Sequence, residues 1–366
     1  MALRLFGLNP LPQAELILIT RGRFTPYSGM LPGLIAGHYE FADIHIDTAR
    51  LADFAGARLC LDEVIGLDLL DRKVICRGSP PVQFDLLSID IGSTPNTGDV
   101  PGAVAHAIPV KPIDGFLGRF EQMMERVLAR RGKASIACVG GGAGGVELLL
   151  STERRLRREV MAAGGALDKL SFVLVTASDE ILPTFPAAFR ARFRALLDAR
   201  GIETITGATV TGVEAGQLVF ADRTPIVADE VLWTTQAAPA RWLAATGLPL
   251  DAQGFIQVTD DLRVMGRDDI FAGGDIIAFA TRALPKAGVY AVREGPVIAA
   301  NIRRTLAKTV LRAYKPQRDA LYLVSTGKRY AIGTRNGFTF AGAWIWRWKD
   351  WIDRRFMRQF KELPHD

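Results

Sequence analysis

Two short stretches place glycines and a carboxylate where they could hold a dinucleotide. The first is KASIACVGGGAGGVELLL, in which Gly140, Gly142 and Gly145 fit the spacing G-x-G-x-x-G. Ser135 to Val139 read as a buried strand before the turn, and Val146 to Leu150 as the start of a helix after it. In that context each glycine has its own task. The first permits a tight turn, the second lets backbone approach a diphosphate, and the third lets helix pack on strand. The helix start then offers free N–H groups and a positive dipole end to the phosphates. A ligand-free turn is the bland alternative, and the order strand, turn, helix weighs against it.

The second stretch is VTDDLRVMGRDDIFAGGDIIAF. Asp269 to Ala272 read as a short strand that ends in Gly273-Gly274-Asp275. A carboxylate just past a strand end, beside two glycines, can accept hydrogen bonds from a polyol chain lying on the backbone. LPKAGVYAVREGPVIAANI then predicts a helix from Pro285, whose first turn aims N–H groups at whatever lies above Asp275.

The elements that must position these residues alternate as strands and helices, the pattern of doubly wound α/β domains. SFVLVT is the strand after the glycine turn. It ends in Thr176, Ala177 and Ser178, with no acid until Asp179. A ribose-binding acid commonly stands there, about 20 residues after the first glycine. Its absence weakens the choice between NAD and NADP. No arginine follows at once to hold a 2′-phosphate, so the reading leans to NAD. Near the N-terminus, Ala14 to Thr20 read as a buried parallel strand, preceded only by a scrap of helix, Ala2 to Leu8.

Composition excludes several classes. The 366 residues allow two or three domains. Cys60, Cys76 and Cys138 form no C-x-x-C, so a disulfide framework, a zinc site and a redox-active dithiol find no support, and small buried thiols are expected. Four histidines without H-x-x-x-H spacing give metal catalysis little support. No stretch reaches the roughly 20 apolar residues that span a bilayer. The expected location is the cytoplasm, with membrane contact limited to a surface. The formal charge of +6 fits an anionic partner or, equally, an arginine surplus on a solvated face.

Taken together, these stretches resemble the FAD-dependent pyridine nucleotide oxidoreductases, the two-dinucleotide flavoproteins. Ile270 to Asp275 match the motif by which that family's chain returns to its FAD domain. TPYSGMLPGLIAGHY and the tail WIWRWKDWIDRRFMRQF resemble a subgroup related to type II NADH dehydrogenases, which also occurs fused to selenophosphate synthetase. The resemblance covers about Leu3 to Phe360. It implies two Rossmann-like domains: an FAD domain in segments 1–112 and 254–315, an NAD(P)H domain at 133–250, and a C-terminal region at 320–366.

The resemblance also assigns roles. FAD and NAD(P)H are the expected cofactors. Thr25 and Pro26 would pack against the flavin, and Gly92 would lie in the stretch that closes the first FAD segment. Gly274 and Asp275 would hold the ribitol. The N–H groups of Ala287 and Gly288 would face the flavin pyrimidine, with Lys286 adding positive charge. Glu147 matches a glutamate that approaches the nicotinamide in related quinone reductases. A first-turn lysine at the surface and a glutamate placed for the helix dipole are the plainer readings of Lys286 and Glu147.

Against the family pattern, the first strand and its G-x-G-x-x-G should precede ALRLFG. One expectation is a natural start roughly 20 to 25 residues upstream, enough for a strand and its turn; the other is a degenerate flavin site. The fit at Gly274, Asp275 and Pro285 favours the first. The implied reaction passes hydride from NAD(P)H to flavin and electrons on to a quinone or other small acceptor, with no nucleic acid partner. The rival is a flavin-free NAD(P)(H)-binding sensor or partner associated with selenophosphate synthesis. In the tail, Trp344, Ile345, Trp348, Trp351, Ile352 and Phe356 form an apolar arc opposite several arginines. That suits an interfacial helix on the inner face of a membrane. A helix docked on its own domain or on a second copy in a homodimer fits as well.

Overall fold

The computed structural model describes residues 1–235 and 237–364. Its largest sheet is five-stranded and wholly parallel. The strand order is Ala107–Pro109, Glu230–Trp233, Ala134–Val139, Leu170–Val175 and Ile202–Ile205. The Ala134–Val139 and Leu170–Val175 strands are short, almost uninterrupted apolar runs, as expected of strands covered on both faces. Helices Ile113–Ala129, Ala143–Ala162 and Ala187–Ala199 contribute to the cover. Phe116, Phe120, Ile136, Leu148, Phe189 and Phe193 are almost wholly buried in the resulting core. Each such side chain contributes about 1.5–3 kcal/mol relative to its exposed state.

A second core lies among residues from both flanks of that sheet. Parallel pairs join Leu16–Thr20 to Ala57–Leu61, Leu87–Ile89 to Ile270–Ala272, and Ile256–Val258 to Ile277–Phe279. Phe271, Ile270, Ile276 and Val258 are fully buried there. Among the described residues, the first two pairs are not hydrogen-bonded to one another. Helix Ala2–Leu8 lies against helices Gly288–Leu306 and Thr48–Phe54.

The chain closes with an antiparallel meander, Tyr322–Ser325, Ala331–Arg335 and Phe338–Gly342, and the helix Ala343–Lys361. The fold is thus the doubly wound α/β type anticipated. The N-terminal strand begins at Leu16 rather than Ala14. Ala57–Leu61 pairs in parallel with Leu16–Thr20, and Val64–Asp68 forms an antiparallel pair with Lys73–Cys76.

Candidate functional site

The glycine turn after Ala134–Val139 shows three kinds of glycine. Gly140 has φ +125°, a conformation that L side chains rarely adopt. A Cβ on Gly145 would stand 1.9 Å from the Gly140 carbonyl oxygen, so only hydrogen permits this helix–turn contact. A Cβ on Gly142 would meet nothing within 4 Å. The middle glycine therefore faces open space at the N-terminus of the Ala143–Ala162 helix, where a diphosphate could lie against free N–H groups. At the end of the next strand, Thr176 packs on Gly141: a Cβ there would be 2.7 Å from the threonine Cβ. The position where an acid is commonly found is used for packing.

The second constellation gathers at the carboxyl ends of the parallel strands Leu87–Ile89 and Ile270–Ala272, where open α/β sheets bind ligands. Gly274 has φ +76°, and its N–H donates to Glu294 Oε2 at 2.6 Å. Asp275 Oδ2 accepts from Lys111 Nζ at 2.7 Å and from Ser93 Oγ at 3.3 Å. Gly92, at φ +68°, and Gly288 both face open space. A cavity of about 450 Å³ is walled by Gly274, Asp275, Pro285, Lys286, Ala287 and Glu294, among others. The helix expected from Pro285 starts three residues later, at Gly288, with Ala287 as its N-cap. Pro285 and Lys286 remain as loop in the cavity wall. Lys286 crosses the Phe255 ring at 3.8 Å and donates to the Ile277 carbonyl. Desolvation lowers its pKa, against the pull of Asp251, Asp275 and Glu294.

Glu147 belongs to a third group. Its side chain is half-buried and accepts from the Ser325 N–H at 2.7 Å. Burial pushes its pKa up to about 7, although the Lys349 charge and the Ser325 bond pull it down. Lys349 donates to the Gly29 carbonyl and to Asp353 Oδ2, each at 2.7 Å. Asp353 is raised mainly by burial, and Tyr27 beside it is pushed up as well. Thr25 and Pro26 lie in the short strand that leads into Tyr27, with Thr25 exposed and Pro26 half-buried.

Asp90, Ser93, Lys111 and Glu294 had not been singled out from sequence. A lone aspartate in the apolar stretch LLSIDIG and a glutamate on the buried face of the Gly288–Leu306 helix were the available signals. All three cysteines are free thiols. Burial, with Cys60 beside it, raises the Cys76 pKa, a neighbourhood that sequence spacing did not indicate. Among the described residues, no cluster of His, Cys, Asp or Glu could hold a metal, and no helix is long and apolar enough to cross a membrane.

Both glycine cradles leave room that a Cβ would occupy, and Asp275 offers an acceptor at the second. The residues present therefore fit a nicotinamide dinucleotide at the first, and the ring and ribitol side of a flavin at the second. A fold of this kind with two such cradles defines the two-dinucleotide oxidoreductase class. Residues 7–295 match the pyridine nucleotide-disulphide oxidoreductase profile, and the chain belongs to that family of FAD-dependent NAD(P)H oxidoreductases.

Relatives agree. The chain is 26% identical over 274 residues to the NADH dehydrogenase-like protein YutJ of Bacillus subtilis, covering 73% of this chain and 70% of that one. It is 27% identical over 269 residues to the demethylphylloquinone reductase NdbB of Synechocystis, covering 71% of this chain and 64% of that one. The structure of NDH2 from Plasmodium falciparum in complex with NADH superposes with TM-score 0.80 at 14% identity, covering 98% of this chain and 96% of that one, which shows the fold.

Proposed function

We propose that this chain is an NAD(P)H dehydrogenase that passes reducing equivalents through FAD to a quinone. The observation that carries the reading is the presence in one chain of two different cradles, the Gly140–Gly145 turn with open space over Gly142, and the Gly274–Asp275 turn beside a cavity onto which Gly92 and Gly288 leave open space. A flavin, when bound, accepts hydride from a reduced nicotinamide and returns electrons to an acceptor. The chain's own part is to bind and orient. Gly142 and the helix start behind it hold the nicotinamide cofactor's diphosphate. Asp275 accepts hydroxyl hydrogen bonds, Gly92 lets backbone approach, and the N–H groups at Ala287 and Gly288 favour negative charge on the group above them. Thr25 and Pro26 are assigned to the flavin by the family resemblance, and Lys286 brings its charge to the cavity wall. Glu147, poised near neutrality, holds or releases a proton. Its fixed contact with Ser325 makes it a group that acts in place.

The units that do this work are 1–112 with 254–315 for flavin, 133–250 for NAD(P)H, and 320–366 as the closing region. Quinone as acceptor rests on the relatives' stated activities. Helix Ala343–Lys361 supports attachment to a membrane surface on the cytoplasmic side. Ile345, Met357 and Phe360 dock inward while Trp344 and Trp351 stay 54% exposed, with Arg355 over the Trp351 ring. The predicted apolar arc is therefore divided between docking and display.

The rival reading, a flavin-free NAD(P)(H)-binding protein, draws on Asp90 and the buried Glu294, two carboxylates beside Gly274 that oppose a second dinucleotide's phosphates. The purified protein's flavin content decides between them. Stoichiometric FAD reduced by NADH supports the dehydrogenase; colourless protein that still binds NADH supports the rival.

A further inference from the structure

Three carboxylates surround Gly274. A Cβ on that residue would stand 2.6 Å from Asp90 Oδ1, its N–H is bonded to Glu294, and Asp275 is its neighbour in the chain. Only Asp275 has an ion-pair partner within 4 Å among the described residues, and that partner is Lys111. Lys111 comes from the other core. It stands two residues beyond the Ala107–Pro109 strand of the five-stranded sheet, just before the Ile113–Ala129 helix. Its ammonium and the Ser93 hydroxyl both bind Oδ2, so Oδ1 receives no hydrogen bond from the described residues. One carboxylate oxygen is thus anchored, and the other is left for a ligand.

Resting on the flavin reading above, we propose that Lys111 is a positioning residue of the cofactor cradle: it anchors Asp275 as a charged acceptor and offsets the negative field that Asp90 and Glu294 would present to a dinucleotide's phosphates. Other groups reach this site as well. The Met1 ammonium faces Asp90, Lys286 faces Asp251, Asp275 and Glu294, and Tyr290 lines the cavity. Burial holds Glu294 at about 7, and desolvation with the nearby Asp275 charge raises Asp90. Raising the pH through neutrality therefore adds negative charge beside Asp275, and the need for Lys111 grows.

The test uses full-length protein and equilibrium dialysis against FAD, with Lys111→Met and Lys111→Arg beside the wild type. Lys111→Met should weaken FAD binding about ten-fold or more at about pH 8 and less at about pH 6, and Lys111→Arg should restore both affinity and pH profile. A Lys111→Met protein that binds FAD like the wild type at both pH values overturns the proposal. So does one whose melting temperature falls while its FAD affinity keeps the wild-type pH profile, since that marks a structural strut. Wild-type protein that binds no FAD at either pH would instead overturn the flavin reading, and this proposal with it.

Discussion

A Cβ on Gly145 would lie 1.9 Å from the carbonyl oxygen of Gly140 and 2.5 Å from Thr234 Oγ1. The two glycines close the turn by contact, whereas Gly142 between them touches nothing. Gly145→Ala should therefore act on the fold. Overpacking of this kind costs about 1–3 kcal/mol, and a lower melting temperature for the ligand-free protein would register it.

Gly142→Val should act on the ligand instead. The added side chain enters open space, so the melting temperature should stay near the wild-type value. Reduction of the protein by NADH should slow sharply while reduction by dithionite does not. Normal reduction by NADH would remove the nicotinamide cofactor from this turn.

Asp275→Ala removes the acceptor at the second cradle. A hydrogen bond to a charged group is worth about 1.5–3 kcal/mol, so flavin affinity should fall by about ten-fold to a hundred-fold. Retained absorbance after dialysis measures it, and undiminished occupancy would contradict the assignment of Asp275.

Glu147 makes stability depend on pH. Its folded-state value, about 7, stands above the ordinary glutamate value of 4.5. Between those values the unfolded chain has already released the proton that the folded chain keeps. Rising pH then favours unfolding, and the stability present below about pH 4.5 is lost as pH rises through 7. Glu147→Gln keeps an acceptor for the Ser325 N–H without the titration. Across this range the wild type should lose about 3 kcal/mol relative to the variant, as denaturant melts at about pH 5 and about pH 8 would show. Parallel pH profiles would contradict a Glu147 that keeps its proton to about pH 7.

Trp344 and Trp351 carry the surface-attachment reading. Replacing both by serine should leave melting nearly unchanged, because both are half exposed. Cosedimentation with anionic vesicles should fall several-fold. Equal cosedimentation of the two proteins would remove this face from membrane contact.

What the sequence disclosed depended on distance along the chain. The Gly140–Gly145 turn was legible because strand, turn and helix are contiguous. Asp275 was legible for the same reason. The Pro285 helix start was misplaced because proline suits a first helical turn in general, whereas here residues 285–287 stay outside the helix and line the cavity. Lys111 was invisible: its contact with Asp275 spans 164 residues, and a single lysine before proline has no local signature. Likewise Glu147 resembled an N-terminal helix carboxylate, and only the meander strand carrying Ser325 shows it to be held by a backbone N–H 178 residues away. The tail's apolar arc was visible, but its division between docked and displayed aromatics is decided by Tyr27 and the Phe338–Gly342 strand that pack on it.

The most direct test of an FAD-dependent NAD(P)H dehydrogenase is anaerobic titration of the purified protein with NADH, followed in the visible flavin band. Stoichiometric NADH should bleach that band, and a soluble quinone added afterwards should restore it. A protein that carries flavin but is not bleached by NADH or NADPH, or one reconstituted with FAD that shows no flavin band, would contradict the account.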